Sequence, residues 1–275
     1  MSLSSPKVSV VTVVRNSEES IEKTIKSVFS QDYSDLEYIV VDGASTDNTL
    51  EILENHKEHI DVLISEVDNG IFDAMNKALS LASGDWIVFM NSGDYFYNRS
   101  SLSQLSLLLE SDADVILAGC EKILIDDLET RHFRVLPGNI ADVWKYMPTV
   151  HQSTIVRLTT QKQYKFNINY QWCADHDALA RMYHDNKKFV SSESLFCYFD
   201  CSGGQKRDPL LFIKERWSLS QDLVPFSTRL VFYGLEVFHC IIWGAIVTYL
   251  KQIIPKSLLL KLRRYRKTSG IDLST

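Results

Sequence analysis

The sequence is poor in the features that allow a quick assignment. It has no C-x-x-C pair, and its five cysteines are an odd number, which argues against a disulfide framework. Reduced thiols that mostly fill the core are expected. No G-x-G-x-x-G follows the first apolar run, which excludes the usual dinucleotide fingerprint. No Gly-rich phosphate loop lies near the N-terminus, which argues against a nucleotidyltransferase. Basic excess is missing as well: the net charge is −6 over 275 residues, so no nucleic-acid partner is expected. Internal repeats and low-complexity linkers are absent, and residues 1–7 are too short and polar to read as a signal peptide. The charged fraction of 23% is near average, which makes disorder over most of the length unexpected.

What is present is an alternation. Residues 7–14 (KVSVVTVV) form a β-branched apolar run ending at Arg15-Asn16. Residues 17–31 then show helical spacing, with Ile21, Ile25, Val28 and Phe29 on one face and Ser17 or Ser20 placed to cap it. Further strands are expected at 36–41, 62–65 and 86–90, separated by helices at 46–58 and 71–81. Such alternation builds a parallel sheet with right-handed crossovers. The rest reads as mixed: a helix at 102–109, a strand at 115–119, a hairpin of 122–125 with 132–136 across Asp126-Asp127, a strand at 154–157, a helix at 172–186 and strand pieces over 189–198. These continue the first sheet with antiparallel pieces. The expected fold class is α/β, a Rossmann-like, mostly parallel sheet flanked by helices.

Polar residues follow successive strands: Arg15-Asn16, Asp42, Asp68-Asn69, and Asn91-Ser92-Gly93-Asp94. One polar strand tip is an ordinary turn, because Asp and Asn form turns readily. Four of them at one edge of an open sheet point to a ligand site.

Three stretches carry a resemblance: SVVTVVRNSEESIEKTIKSVFSQ, EYIVVDGASTDNTLEIL and SEVDNGIFDAMNKALSLASGDWIVFMNSGDYF. Together, over residues 7–96, the chain resembles the inverting family 2 glycosyltransferases with the GT-A fold, and looks similar to the branch that builds bacterial exopolysaccharide, such as the colanic acid transferases. The resemblance continues more weakly through HQST and ADHDALARM, near residues 151–182. It implies a nucleoside diphosphate sugar donor, a divalent metal (Mn2+ or Mg2+) and a saccharide or lipid-linked sugar acceptor. By position, NSGD is the metal motif and Asp94 the metal ligand. Asn91 and Gly93 stand where family members often carry carboxylates, so donor diphosphate and water would have to complete the coordination. Met75 stands where many relatives carry an Arg that approaches the donor; Lys77 or Arg15 could take its place.

On the donor side the resemblance points to Asn16, Asp42, Asp68, Asn76 and Asn91. Asp42 is the nucleoside candidate, with capping of the Ser45-Thr46 turn as its plain alternative. Asp68-Asn69-Gly70 is also a strong turn. The acceptor hydroxyl is a weak nucleophile and needs a base. Asp177 and Arg181, four apart on a helix, can form a local surface pair, whereas Asp175 shares the inward stripe of Leu179 and Met182. The family's acceptor-side carboxylate aligns with Asp175, which is the favoured base; an N-cap role or Asp177 is the alternative. His151 could meet donor phosphate, metal or acceptor, or be a structural hydrogen-bonder, and His176 could orient an Asp.

Residues 231–250 are apolar on nearly every helical face, interrupted by Glu236 and His239, and residues 251–267 hold seven Lys or Arg and no acid. An apolar helix followed by cations suits an anionic membrane surface. The alternatives are a true span and packing on the protein itself or on a second copy. The expected organisation is a glycosyltransferase domain over 1–225 (7–100 donor half, 101–225 acceptor half) and a membrane-associating helical tail over 226–275. The expected place is the cytoplasmic side of the inner membrane, peripheral or monotopic, with a homo-oligomer as an option. The rival function is a catalytically silent nucleotide-sugar-binding or scaffold protein.

Overall fold

The structure, a computed structural model, describes residues 5–125, 130–201 and 208–253. In chain order the elements are β1 (Val8–Val14), α1 (Ile21–Phe29), β2 (Leu36–Asp42), α2 (Thr49–Asn55), β3 (Val62–Ser65), α3 (Ile71–Leu81), β4 (Trp86–Phe89), β5 (Tyr95–Phe96), α4 (Ser106–Leu109), β6 (Val115–Ile125), β7 (Thr130–Val135), β8 (Thr154–Arg157), α5 (Leu158–Gln163), α6 (Ala174–His184), β9 (Phe189–Asp200), α7 (Pro209–Leu219) and α8 (Phe226–Ile253).

The first half is the expected parallel sheet. β1 pairs β2 and β4, and β2 pairs β3, all parallel. Every residue of β1 is buried, as a strand covered on both faces must be. Alternate side chains go to opposite sides: Val11 and Val13 join one core cluster, Val8, Val10 and Val14 the other. Thr12, the polar member of the second face, is satisfied there by the Met90 carbonyl at 2.7 Å.

The second half extends the same sheet, in the order β3-β2-β1-β4-β8-β6-β9-β5, with β7 also on β6. β8 is antiparallel to β4 and β6, β9 is parallel to β6, and β5 closes antiparallel on β9. The antiparallel β8 next to β4 brings residues 151–153 to the tip of β4, beside the NSGD turn. The expected hairpin is β6 with β7; its Asp126-Asp127 turn lies outside the described residues.

Several boundaries differ from expectation. α1 begins only at Ile21, because the Ser17 carbonyl takes the N–H groups of Ser20 and Ile21 in a turn. Ser20 is the N-cap, but its side chain makes no cap bond. Phe29 points outward and stacks on His59, ring centroids 4.1 Å apart. β6 runs unbroken where the sequence reads as two pieces, bending at Gly119 through register shifts. The tail helix α8 starts before residue 231 and is docked on α7: Tyr233 is buried and donates to the Trp144 and Arg216 carbonyls. Glu236 turns inward and pairs with Arg216. Among the described residues no helix is long and apolar enough to cross a membrane. The basic run beyond Ile253 lies outside the described residues.

Candidate active site

The tips of β1, β2 and β3 are tied to one another. Asn16 sits in the left-handed region at φ 50°, and its Oδ1 accepts from the Thr46 N–H at 2.8 Å. Asp42 is fully buried; it accepts from the Ser45 hydroxyl at 2.5 Å and from the Ser65 hydroxyl at 2.6 Å, joining β2 to β3. The carboxylate expected at the nucleoside thus holds the Ser45 turn and the end of β3. Asp68 accepts from the Gly70 N–H at 2.8 Å, and its carboxylate lies where a Cβ at Gly43 would meet it, so a larger residue there would push the Asp68 side chain aside. Asn76 is engaged at both ends of its amide by the Phe166 backbone, donating at 2.8 Å and accepting at 3.0 Å. Those bonds staple α3 to the segment before α6. Met75 is buried in the core, and Lys77 is held by Glu66 at 2.8 Å.

The tip of β4 is built differently. Gly93 has a φ of 96°, a value that glycine adopts without strain and that lets the turn reverse. Asp94 is then carried into the interior, where Gln152 donates to it at 2.5 Å and the Asp200 N–H at 3.1 Å. Burial pushes the Asp94 carboxyl up to about 7, against the opposing pull of those donors. Asn91 is buried and its Nδ2 lies 2.8 Å from Nε2 of His151. Nδ1 of His151 lies 3.2 Å from Asp175, which also accepts from the His176 N–H at 2.8 Å. Burial would raise the Asp175 pKa, but the contacts with His151 and His176 outweigh it and hold the carboxyl below its ordinary value. Asp175 is therefore a half-buried carboxyl kept ionised.

Asp177 does pair with Arg181, at 2.9 Å, but the pair is not on the surface: Asp177 is buried, and burial raises its pKa. His176 is buried against the Val143 carbonyl and has a structural role.

Asn16, Asn91, Asp94, His151 and Asp175 all line one cavity of about 1290 Å³; Asp42, Asp68, Asn76, Arg15 and Lys77 do not. A single-ligand pocket is typically ~300–1,000 Å³, so this one has room for two substrates. Tyr146, Met147, Trp172 and Phe212 give it an apolar wall on the side of α6 and α7. Its carboxylates are Glu18, Glu19, Asp47, Asp94, Asp175 and Asp200, against two full cations, Lys122 and Arg216. Sequence reasoning missed Gln152, although HQST contained it, because an amide two residues before a strand carries no signal of its own. It also missed the Asp200 N–H and Arg216, which only the folded chain brings in.

Residues 9–210 match the family described as Glycosyl transferase family 2. EpsE of Bacillus subtilis (strain 168), a glycosyltransferase by name, is 31% identical over 139 residues, 49% of this chain and 50% of that one. TuaG of the same organism, by name a teichuronic acid biosynthesis glycosyltransferase, is 37% identical over 108 residues, 38% of this chain and 43% of that one. The chain thus spans about half or less of the curated relatives it matches. Among solved structures, S. aureus TarS 1-349 in complex with UDP-GlcNAc superposes with a TM-score of 0.65 at 19% identity, covering 84% of this chain and 71% of that one. The mannosyltransferase PcManGT from Pyrobaculum calidifontis, in complex with GDP-Man and Mn2+, gives 0.65 at 15% identity, covering 97% and 81%. At these identities the likeness shows the fold, which is the expected GT-A type.

Proposed function

The chain belongs to glycosyl transferase family 2, and from that premise we propose that it moves a sugar, with inversion, from a nucleoside diphosphate donor to a saccharide or lipid-linked acceptor in cell-surface polysaccharide synthesis. The observation that carries this reading is the pairing across one cavity of Asp94, at the β4 tip, with an ionised Asp175 on α6. Inversion needs a nucleophile and a leaving group on opposite faces of the anomeric carbon. Asp175 takes the proton of the acceptor hydroxyl as it attacks. The apolar wall of Met147, Trp172 and Phe212 beside it receives the acceptor. Asn16, Asn91 and Asp94 lie on the donor side, where the diphosphate departs. A UDP-sugar is the proposed donor, in keeping with the UDP-GlcNAc held by the TarS structure.

A divalent cation fits this cavity. Six lining carboxylates against two cations would repel a diphosphate arriving alone. Asp94 would hold the ion, since each of its oxygens accepts one bond and keeps a second lone pair. Mn2+ or Mg2+, when bound, would neutralise charge building on the leaving diphosphate. Among the described residues there is no cluster of three His, Cys, Asp or Glu, so the donor's oxygens and water would complete the coordination.

The test is a thermal-shift screen of nucleotide sugars with and without manganese, followed by donor hydrolysis. Ligand at about 100 times its Kd should add roughly 2.7 kcal/mol of stability. Hydrolysis of the donor that stabilises separates an enzyme from a silent binding protein; no shift with any nucleotide sugar overturns the reading.

A second reading concerns place. Leu230, Val231, Leu235, Phe238, Ile241 and Ile242 are all exposed along α8, Phe238 at 64%, while Glu236 faces inward. With the seven cations of residues 251–267 following, this face fits an anionic lipid surface on the cytoplasmic side of the inner membrane, in a monotopic arrangement. A homo-oligomer would cover the same face. Leu235→Asp with Phe238→Asp should abolish flotation with vesicles containing anionic lipid, each buried side chain contributing about 1.5–3 kcal/mol. Wild-type protein that stays with the soluble fraction sinks this reading.

A further inference from the structure

The contacts of His151 go beyond what a base and a donor anchor require, and the inference drawn from them rests on Asp175 being the base. An ionised carboxylate only accepts hydrogen bonds, so the imidazole nitrogen facing Asp175, Nδ1 at 3.2 Å, must carry a proton. The other nitrogen, Nε2, lies 2.8 Å from Nδ2 of Asn91, an atom that only donates. A neutral ring with its proton on Nδ1 satisfies both contacts. The opposite tautomer would set a lone pair against the carboxylate and N–H against NH2. Turning the amide would set Oδ1 against the Nε2 lone pair, unless the ring were a cation. The arrangement leaves Oδ1 of Asn91 buried without a partner, a cost that packing alone does not call for.

We propose that Asn91 and His151 are positioning residues acting in series: Asn91, at the β4 tip, fixes the tautomer of His151, and His151 aims the carboxylate of Asp175 at the acceptor hydroxyl. His151 is not itself the base, because its one lone pair is taken by Asn91. The neutral ring orients Asp175 through a single N–H, and the His176 N–H holds its other oxygen at 2.8 Å. An amide at position 91 is what this needs. A carboxylate there would demand a proton on Nε2 and clamp an imidazolium between two acids, and Asp175 facing a full cation is a weaker base.

The experiment uses the full chain labelled with 15N-histidine, at one neutral pH and without donor. The seven histidines are resolved by imidazole 15N shifts, and His151 is assigned by its loss in His151→Asn. The wild-type ring should carry its proton on Nδ1 with Nε2 bare, and Asn91→Asp should protonate both nitrogens. With saturating donor and acceptor, Asn91→Asp should lower kcat about 10- to 100-fold. His151→Asn, whose amide can still donate where Nδ1 did, should retain more turnover than His151→Leu. A wild-type ring protonated on Nε2 overturns the proposal whatever the kinetics. So does an Asn91→Asp variant with equal or higher turnover, the outcome if position 91 were simply a metal ligand short of a charge. If Asp175→Asn keeps its activity, the base assignment fails, while the tautomer read from the 15N shifts still reports on Asn91 and His151.

Discussion

At the tips of β1, β2 and β3 the polar groups are closed on one another, whereas at the tip of β4 they are not. Asp42 meets two serines, Asn16 meets Thr46, and Asn76 is stapled by Phe166. In the second set, Asp94 is buried with a raised pKa, and Oδ1 of Asn91 and Oε1 of Gln152 are buried without partners. Both sets look alike in sequence, as polar residues after an apolar strand. The difference teaches where to look for chemistry. A satisfied network fixes shape and has little left to give a ligand. A buried group held short of its bonds is costly, and that cost persists where a substrate or ion completes it. On the proposed reading, the first three tips shape the rim, and the β4 tip with α6 carries the chemistry.

The sharpest way to break this comparison is at Asp175. Asp175→Asn should cut turnover by about 100- to 10,000-fold, the usual worth of general-base assistance, and leave donor affinity nearly unchanged. Asp177, two residues away and buried, is closed on Arg181 and should behave like the first set. Asp177→Asn should cost stability, about 0.5–1.5 kcal/mol for a lost hydrogen bond, with little loss of rate. Transfer rates and donor binding at saturating donor decide between them. An inactive Asp177→Asn beside an active Asp175→Asn would invert the assignment.

Asp94 should show a smaller and double-edged effect. Its carboxyl is pushed up to about 7 in the folded protein, from about 3.8 when unfolded. The folded state therefore holds a proton that the unfolded state has lost, and stability without ligand should fall as pH rises through that window. Asp94→Asn removes the fall, so the ligand-free variant should be the more stable of the two at pH about 8, by an amount on the order of a few kcal/mol. The same change should weaken manganese-dependent donor binding about tenfold or more, near 1.4 kcal/mol. Denaturant midpoints across pH, with donor titrations with and without manganese, check both halves. A variant that is less stable at pH 8 and keeps its manganese response would show that Asp94 belongs with the closed tips.

Sequence reasoning reached the parallel half of the sheet because its signal is local: β-branched runs, helical spacing and turn residues in strict alternation. It picked out Asp94, Asn91 and Asp175, which line the cavity, because those residues fall in motifs at strand and helix ends. It could not show that Asn76 lies outside the cavity lining, since the Phe166 backbone that its amide meets is 90 residues further on. Asp42 was legible in both roles, and only its burial between Ser45 and Ser65 tells which groups hold it. Glu236 reads in sequence as a charge stranded in an apolar helix; the fold gives it Arg216, on another helix. What stays hidden in each case is a partner distant in sequence.

The weakest expected effect on activity, and so the cleanest control, is at the other end of β2 from Asp42. Glu37 is buried, yet it accepts from the Ser9 hydroxyl at 2.6 Å, from the Ser83 N–H at 2.9 Å and hydroxyl at 2.5 Å, and from Lys7 at 3.2 Å. Burial alone would raise its pKa, but these four donors outweigh it and hold the carboxyl down to about 2, from an ordinary value near 4.5. The folded state thus stays ionised where the unfolded state takes up a proton. The stability contributed by Glu37 is complete above about 4.5 and is lost as pH falls toward 2. Glu37→Gln should lower stability at pH 7 by about 1.5–3 kcal/mol, the range for hydrogen bonds to a charged group. It should also flatten the acid branch of the stability profile between those two values. Turnover and donor affinity should not move, since every acceptor site on Glu37 is closed inside the protein and far along the strand from the cavity. Urea midpoints from pH 2.5 to 7 beside transfer rates for the folded variant make the test. A Glu37→Gln protein that folds normally but transfers sugar poorly would mean that closed polar networks do more than hold shape, and the division between the two sets of carboxylates would fall.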